Sequence, residues 1–289
     1  MSPRNIGIVA NPFKEQAKEA VSSLYAAFAG KGLNVIVAQE TVDFCGLSCD
    51  GIALANLPNY VDLIVVLGGD GTMLHVVHAT GAAIKPMAAI NMGRLGFLTC
   101  ATRDEQAAFV ELISSGDYVM SRRSTIQATI EDSKGGSTVL TGLNEAVIGR
   151  GNSTRMIGLE VRVNGQFLNR YGGDGLIIAT PTGSTAYSLS AGGPIISPES
   201  NVFVLTPICS HALSNRSIVI EGDVEMIIEP QDLREETVIS MDGRARHIIE
   251  EGMRITLKRG PYDVPLIMPP DYRFYTVLQQ KLGWRGSNV

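Results

Sequence analysis

Cysteine is scarce in this sequence, which has four in 289 residues, Cys45, Cys49, Cys100 and Cys209. Four scattered cysteines do not make a disulfide framework, and the first two have no second pair with which to hold zinc. We therefore expect reduced thiols with a structural role.

Long runs of one charge or of apolar residues are also absent. The formal net charge is -5, and no Lys/Arg run marks a surface for nucleic acid or membrane. No apolar stretch approaches the roughly 20 residues that span a bilayer, and the first residues show no signal-type apolar segment. We expect a cytoplasmic protein that binds neither nucleic acid nor membrane. A hydrophobic content of 45% over this length is enough for two compact units.

Several familiar site signatures are missing as well. The sequence has neither the Walker phosphate loop nor the Gly-x-Gly-x-x-Gly dinucleotide fingerprint. Ser184 and Ser190 lack the flanking pattern of a nucleophile elbow, which argues against acyl transfer. His75 and His78 lie three residues apart without the glutamate or cysteines of a zinc site, so the sequence predicts no metal-ligand set.

The order of strand-like and helix-like segments changes near residue 118. Before it, strand patterns at 5–10, 34–39, 62–67 and 87–91 alternate with helical patterns at 14–30 and 104–115, which predicts a parallel sheet covered by helices. After it, strand patterns dominate, and Asn164-Gly165 and Asp242-Gly243 indicate hairpin turns. We expect an α/β domain over residues 1–118, an all-β domain over 119–271, and a tail over 272–289 that packs back on the first domain.

The stretch Gly68-Gly69-Asp70-Gly71-Thr72 joins a strand pattern to a helical pattern. Glycines let backbone N–H groups approach a phosphate closely, and a helix N-terminus adds partial positive charge. A carboxylate at such a place repels phosphate, so Asp70 indicates catalysis or metal binding. The alternative is a tight turn in which Asp70 caps the helix.

Three further segments carry candidate site residues. Asp174 and the hydroxyl-rich run 180–188 lie at opposite ends of one short strand pattern, and hydroxyls suit recognition of a base or ribose. A Ser/Thr-rich turn that caps a helix near Ala186 is the alternative. Asn144 beside Glu145 is able to clasp a ribose diol, or else forms a solvated strand end. Arg94 suits a phosphate, or is a surface arginine.

Read in order, these segments resemble NAD kinases over nearly the whole chain. The resemblance rests on Gly-Gly-Asp-Gly-Thr at 68–72, Gly-Arg-Leu-Gly-Phe-Leu at 93–98, Asn144-Glu145, the long run from Gly173 to Pro194, Met-Asp-Gly at 241–243 and Lys-Leu-Gly-Trp at 281–284. It implies an N-terminal parallel α/β domain like those of diacylglycerol kinase and 6-phosphofructokinase, followed by a β-sandwich domain.

The resemblance also implies an activity. NAD kinases transfer a phosphoryl group from ATP, or in some members inorganic polyphosphate, to the 2′-hydroxyl of the adenosine ribose of NAD, giving NADP. The family uses Mg²⁺ or another divalent cation, is cytoplasmic, and assembles as homodimers or homotetramers. No acidic cluster in this sequence forms a metal cage, so the ion is expected to arrive on the nucleotide phosphates.

Site residues follow from the same resemblance. Asp70 corresponds to the family's catalytic acid, placed to orient the acceptor hydroxyl and take its proton. The donor phosphates are expected at Gly68, Gly69, Thr72, Arg94 and Arg155. The residues that the resemblance places around NAD are Gly71, Phe97, Asn144, Glu145, Asp174, Thr182, Thr185, Ala186, Tyr187 and Ser190.

Two other functions remain open from the sequence. Lipid kinases share the Gly-Gly-Asp-Gly-Thr motif, so a lipid or small-alcohol kinase is one alternative. A non-catalytic regulator that binds a dinucleotide is the other. An assay of NADP formation from Mg-ATP and NAD separates all three.

Overall fold

The protein is described by a computed structural model that covers residues 2–11, 17–93, 96–152, 155–212, 214–231 and 236–284. The chain divides into two compact units. Unit 1 comprises Met1–Arg122 and Val264–Val289, and unit 2 comprises Arg123–Asp263. Within the described ranges, no helix has both the length and the apolar character needed to cross a membrane.

Unit 1 is built on a parallel sheet. Its strands are β1 (Asn5–Ala10), β2 (Asn34–Ala38), β3 (Gly51–Ile52), β4 (Leu63–Leu67), β5 (Met87–Asn91) and β6 (Ala101–Thr102). The order is β5-β4-β1-β2-β3, with β6 also beside β5, and all of these pairs are parallel. All five residues of β4 are buried, as expected of a parallel strand covered on both faces.

Unit 1 also contains helices. They are α1 (Ala17–Gly30), α2 (Gln39–Cys45), α3 (Asp70–Thr80), α4 (Gln106–Ser115) and, near the end of the chain, α6 (Phe274–Leu282), with 3₁₀ turns at Leu57–Asn59, Gly81–Ala83 and Arg103–Glu105. Helix α1 buries Ala17, Ala20, Val21, Leu24 and Phe28, whose spacing of three and four residues forms one apolar stripe.

Helix α2 corrects one sequence prediction. We predicted a strand over residues 34–39, whereas β2 ends at Ala38 and Gln39 begins α2. The residue before the helix, Ala38, makes no side-chain capping bond, so the usual start signal is missing from the sequence. The part of the predicted helix at residues 14–16 lies outside the described residues.

Unit 2 is strand-rich and antiparallel. Its strands are β7 (Val119–Glu131), β8 (Ser137–Gly142), β9 (Glu145–Arg150), β10 (Ile157–Val163), β11 (Gln166–Gly173), β12 (Gly175–Ala179), β13 (Val202–Ile208), β14 (Ile218–Glu221), β15 (Met226–Gln231), β16 (Thr237–Met241), β17 (Ala245–Ile249) and β18 (Arg254–Met268). A short helix α5 (Tyr187–Ser190) follows a 3₁₀ turn at Gly183–Thr185. Strand β7 begins in unit 1 and strand β18 ends in unit 1. There, Leu266 of β18 pairs with Met87 of β5.

The strands of unit 2 form two sheets with a common core. One has the order β11-β10-β15-β18, with β7 beside β18 and β8 beside β7, and the other has the order β14-β13-β12-β9-β16-β17. Buried residues of both sheets, such as Leu159 and Ile255 from one and Leu176 and Ile239 from the other, belong to one hydrophobic cluster. The predicted α/β plus all-β fold, with a β-sandwich in its second part, is therefore confirmed.

Both predicted hairpin turns are present. Asn164 and Gly165 have φ values of 49° and 79° and join β10 to β11, where Val163 pairs with Gln166. Asp242 and Gly243, at 51° and 68°, lie between β16 and β17. Positive φ at two successive residues favours Asn-Gly and Asp-Gly pairs, which is why the sequence signal was reliable.

Candidate active site

The glycine motif forms the junction between β4 and α3. Gly69 precedes the helix with extended backbone, and Asp70 is the first helical residue. A Cβ atom at Gly68 would overlap the hydroxyl of Thr72, so glycine there lets the first turn of α3 fold against the strand end. The Thr72 hydroxyl accepts a hydrogen bond from Asn11 Nδ2 at 3.2 Å. The N-terminal end of α3 brings partial positive charge to this glycine-rich backbone.

Asp70 does not cap the helix. Gly69 is the capping residue, and it makes no side-chain capping bond. The half-buried carboxylate of Asp70 instead accepts two hydrogen bonds from the loop after β5, one from Phe97 N to Oδ2 and one from Leu98 N to Oδ1, both at 3.1 Å. A Cβ atom at Gly96 would overlap this carboxylate, so only glycine allows the loop amides to come so close. The acid is thereby held in one orientation.

The ring of Phe97 packs against the C-terminal helix of the same unit. Its centroid lies 6.3 Å from that of Phe274, and the ammonium of Lys281 lies 5.8 Å above its face. The ring is half-buried. The Lys281 ammonium is attracted to this ring face, so the helix contact fixes the position of Phe97.

In unit 2, Asn144 and Glu145 lie where β8 passes into β9. The carboxylate of Asp242 accepts the N–H groups of three successive residues, Leu143 at 2.7 Å, Asn144 at 2.7 Å and Glu145 at 3.0 Å. Asn144 is 9% exposed and Glu145 is 6% exposed. They are therefore not a solvated strand end, which was the alternative interpretation of this pair.

The carbonyl side of this segment is held by Thr180 and Gly183. Thr180 Oγ1 donates to the carbonyl of Leu143 at 2.7 Å, and Thr180 N donates to the carbonyl of Asn144 at 2.8 Å. A Cβ atom at Gly183 would overlap the backbone of Asn144. The Asn144-Glu145 pair and the start of the hydroxyl-rich run are thus in direct contact, although they are far apart in sequence.

Two buried polar atoms at this place have no hydrogen-bond partner among the residues that the structure describes, Glu145 Oε2 and Thr182 Oγ1. Burial, together with the nearby Asp242 carboxylate, raises the pKa of Glu145 to about 8. A buried polar atom without a partner costs free energy, so a ligand with hydroxyl groups is favoured there.

Asp174 and Tyr187 line a second feature of unit 2, a cavity of about 350 Å³. Asp174 forms a two-pronged ion pair with Arg150, with Nε to Oδ1 at 3.2 Å and Nη2 to Oδ2 at 3.3 Å. Tyr187 is an exposed aromatic side chain at the start of α5. The cavity therefore combines an aromatic wall with a paired charge.

The hydroxyl-rich run is partly used by its own turns. Ser184 Oγ donates to the carbonyl of Pro181, and Thr185 Oγ1 donates to the carbonyl of Thr182. Helix α5 has Ala186 at its N-cap without a side-chain capping bond, so this run does not serve mainly to cap that helix. Ala186 is half-buried, and Ser190 is exposed at the end of α5.

The remaining predicted residues are the two arginines. Arg155 is exposed in the segment between β9 and β10. Arg94 lies outside the described residues. Within the described parts of the chain, no group of three or more His, Cys, Asp or Glu side chains is arranged to hold a metal ion.

Sequence reasoning missed three residues of this arrangement. Asp242 was placed in a predicted turn and in a family motif without a stated role, whereas its carboxylate accepts hydrogen bonds from three backbone amides. Gly96 and Gly183 were parts of longer motifs without a stated role. Their importance lies in contacts with residues 26 or more positions away, which local sequence patterns do not report.

Comparison with known proteins places these features in a family. A model of the ATP-NAD kinase N-terminal domain matches residues 50–118, and a model of the ATP-NAD kinase C-terminal domain matches residues 143–268. An NAD kinase of Geotalea daltonii is 37% identical over 285 residues, which cover 98% of this chain and 95% of that protein. The chain belongs to the NAD kinase family. It is an enzyme that phosphorylates NAD.

Other NAD kinases agree with this assignment. That of Natranaerobius thermophilus is 33% identical over 279 residues, covering 96% of this chain and 98% of that protein. The crystal structure of yeast NADH kinase complexed with NADH has a TM-score of 0.90 and 26% identity, and the match covers 99% of this chain and 89% of that chain. The resemblance to NAD kinases is therefore confirmed, and it is favoured over a lipid kinase or a non-catalytic regulator.

Proposed function

We propose that this NAD kinase transfers the terminal phosphoryl group of ATP or inorganic polyphosphate to the 2′-hydroxyl of the adenosine ribose of NAD, with a divalent cation. The observation that carries this proposal is the Asp70 carboxylate, which two backbone amides orient at the carboxyl end of a parallel strand. Ligands of open α/β sheets gather at the carboxyl ends of strands.

Asp70 acts as the catalytic base. Phosphoryl transfer passes through a loose transition state, so alignment and charge neutralisation matter more than a strong base. A carboxylate is a weak base, and it accepts the hydroxyl proton late, as the oxygen bonds to phosphorus. Its fixed orientation toward the loop amides supports this role, because a mobile acid would lose the alignment.

The acceptor is held in unit 2 by Asn144 and Glu145. The unpartnered Oε2 of Glu145 and Oγ1 of Thr182 support this role, since ribose hydroxyls satisfy such atoms. In unit 2, the residues assigned to the two ends of the dinucleotide are Asp174, Thr185, Ala186, Tyr187 and Ser190. In unit 1, Gly71 and Phe97 are assigned to NAD as well.

The donor phosphates bind to the backbone of Gly68 and Gly69 and to Thr72 at the start of α3. Arg94 and Arg155 are assigned to the phosphate chain. A divalent cation supplies charge neutralisation on the phosphates when it is bound. The described residues hold no group of three or more His, Cys, Asp or Glu side chains for such an ion, so in this proposal it would arrive on the nucleotide phosphates.

Two further properties are proposed from the family resemblance. They are a cytoplasmic location and assembly as a homodimer or homotetramer. Light scattering of the purified protein after size-exclusion chromatography tests the assembly, since a single-chain mass of 30.9 kDa contradicts it.

The test of the central proposal is Asp70→Asn, with Asp50→Asn as a matched control at an exposed acid of the same unit. NADP formation from NAD and Mg-ATP is followed with an NADP-specific dehydrogenase, and NAD binding is measured by calorimetry. Asp70→Asn is expected to lower kcat about 100-fold or more, with the NAD Kd within about twofold. Near-normal turnover in Asp70→Asn would contradict the role of this acid.

A parallel series with polyphosphate in place of ATP identifies the donor. NADP formation with only one of the two donors selects that donor for this chain.

A further inference from the structure

Asp242 makes an unusual set of contacts for a turn residue. It follows β16 with a φ of 51°, and it is 8% exposed. Its Oδ2 accepts the Leu143 amide, and its Oδ1 accepts the amides of Asn144 and Glu145. Its own N–H donates to the carbonyl of Glu145 at 3.0 Å. One side chain therefore binds a whole tripeptide.

This tripeptide lies between two strands and is held on its other side as well. Thr180 donates hydrogen bonds to the carbonyls of Leu143 and Asn144. The neighbouring Gly142 leaves room for the aspartate, because a Cβ atom there would lie 2.9 Å from Asp242 Oδ1. Asp242 and Thr180, which are distant in sequence, thus hydrogen-bond to the backbone N–H and C=O groups of this segment. The side chains of Asn144 and Glu145 therefore project from a fixed backbone.

We propose that Asp242 is a positioning residue for the acceptor substrate. Its carboxylate accepts hydrogen bonds from three successive backbone amides and thereby holds Asn144 and Glu145 in their binding geometry. This inference rests on the proposed function of Asn144 and Glu145 in binding NAD. Asp242 acts through those residues.

The electrostatics of the site support this proposal. Glu145 is buried, and the Asp242 carboxylate beside it adds to the rise of its pKa. Ala179, the residue paired with Glu145 in β12, does not titrate, and Met241 at the end of β16 does not either. Tyr262 of β18 has its pKa raised by burial and by Asp242. Among the described residues, Asp242 is the charged group that adds to the effect of burial on the pKa of Glu145.

The first test uses NAD binding measured by calorimetry, without turnover. Asp242→Asn keeps the size of the side chain but replaces one accepting oxygen by an NH₂ group, which faces an amide donor. We expect the NAD Kd to rise about tenfold in Asp242→Asn and about 100-fold in Asp242→Ala, with kcat at saturating NAD within about threefold.

Asp132 provides a matched control in the same unit. Its Oδ1 also accepts hydrogen bonds from two backbone amides, those of Lys134 at 2.7 Å and Gly136 at 2.9 Å, at the turn between β7 and β8. Asp132→Asn is expected to leave the NAD Kd within about twofold. If Asp242→Ala does not fold, Asp242→Asn alone decides, with near-UV circular dichroism to confirm a native core.

The second readout is the pH dependence of NAD binding, which a merely structural role would not change. In the parent protein the affinity should change near pH 8, where Glu145 titrates. Asp242→Asn should move this change to lower pH, because it removes the carboxylate that disfavours ionised Glu145. Glu145→Gln should abolish it.

An Asp242→Asn protein with native circular dichroism, an NAD Kd within twofold of the parent and an unmoved pH profile would overturn the inference. A loss of kcat with unchanged NAD Kd would also overturn it, since that result marks a catalytic group. A failure of the proposed function is distinguishable, because Glu145→Gln would then also keep an NAD Kd within about twofold of the parent, whereas a failure of this inference alone leaves Glu145→Gln impaired and Asp242→Asn normal.

Discussion

Gly96→Ala tests whether the orientation of Asp70 depends on the close approach of the loop after β5. The added Cβ would lie 2.8 Å from Asp70 Cγ and 3.1 Å from Oδ2, whereas ordinary van der Waals contact begins at 3.4 Å. The carboxyl carbon must therefore move by about 0.6 Å and Oδ1, the atom nearest to the added Cβ, by more than that, or the loop must withdraw with its two amides. Gly96 is buried, so the clash is not relieved into solvent.

The expected cost falls on activity more than on folding. Overpacking of this kind destabilises by about 1–3 kcal/mol, which leaves most proteins folded. A misplacement of about 1 Å in a catalytic group costs about 100-fold in rate, so we expect kcat to fall between about tenfold and 100-fold. NAD Kd should change by less than about threefold.

The assay is NADP formation with saturating NAD and Mg-ATP, together with a thermal melt. Gly93→Ala is the control in the same loop, because a Cβ there meets Asn91 Oδ1 at 3.8 Å, which is an ordinary contact. That variant should keep kcat within about twofold. If folded Gly96→Ala also keeps kcat within twofold, the loop amides do not position Asp70 and the reasoning fails.

Two further predictions concern unit 2. Gly183→Ala would place a Cβ against the backbone of Asn144 and should raise the NAD Kd at least about tenfold. The control is Gly172→Ala, whose Cβ meets nothing within 4 Å. Equal NAD Kd values for the two variants would contradict a role of the Gly183–Asn144 contact in NAD binding. Because the pKa of Glu145 is raised from 4.5 to about 8, the native state keeps a proton that the unfolded chain releases, so the free energy of unfolding should fall as pH rises from about 4.5 to about 8. Urea titrations of the parent and Glu145→Gln should differ in this slope, and identical slopes would refute the burial of an ionisable Glu145.

Much of the fold was predictable because its signals are local. The apolar run that became β4 reads directly as a strand buried on both faces, and Asn164-Gly165 supplies the two positive φ values of its hairpin. Helix α2 was not predictable in this way, because Ala38 gives no capping signal and the helix follows β2 without a break.

The candidate site shows the same division. Asp70 was singled out because glycines surround it at a strand-to-helix junction, which is a local pattern. Its alternative role as a cap was wrong for a reason that the pattern does not contain, since its partners are the Phe97 and Leu98 amides in a later loop.

By itself the sequence determined the order of the elements, the hairpin turns and the motifs that resemble NAD kinases, because dihedral preferences and hydrophobic periodicity act between near neighbours. Only the tertiary structure decided which residues these motifs meet. The three amides on Asp242, the backbone of Asn144 against Gly183 and the buried Glu145 with its raised pKa are set by contacts between distant segments. Close packing and loss of solvent arise only when distant segments meet, so these features depend on the folded arrangement of the chain.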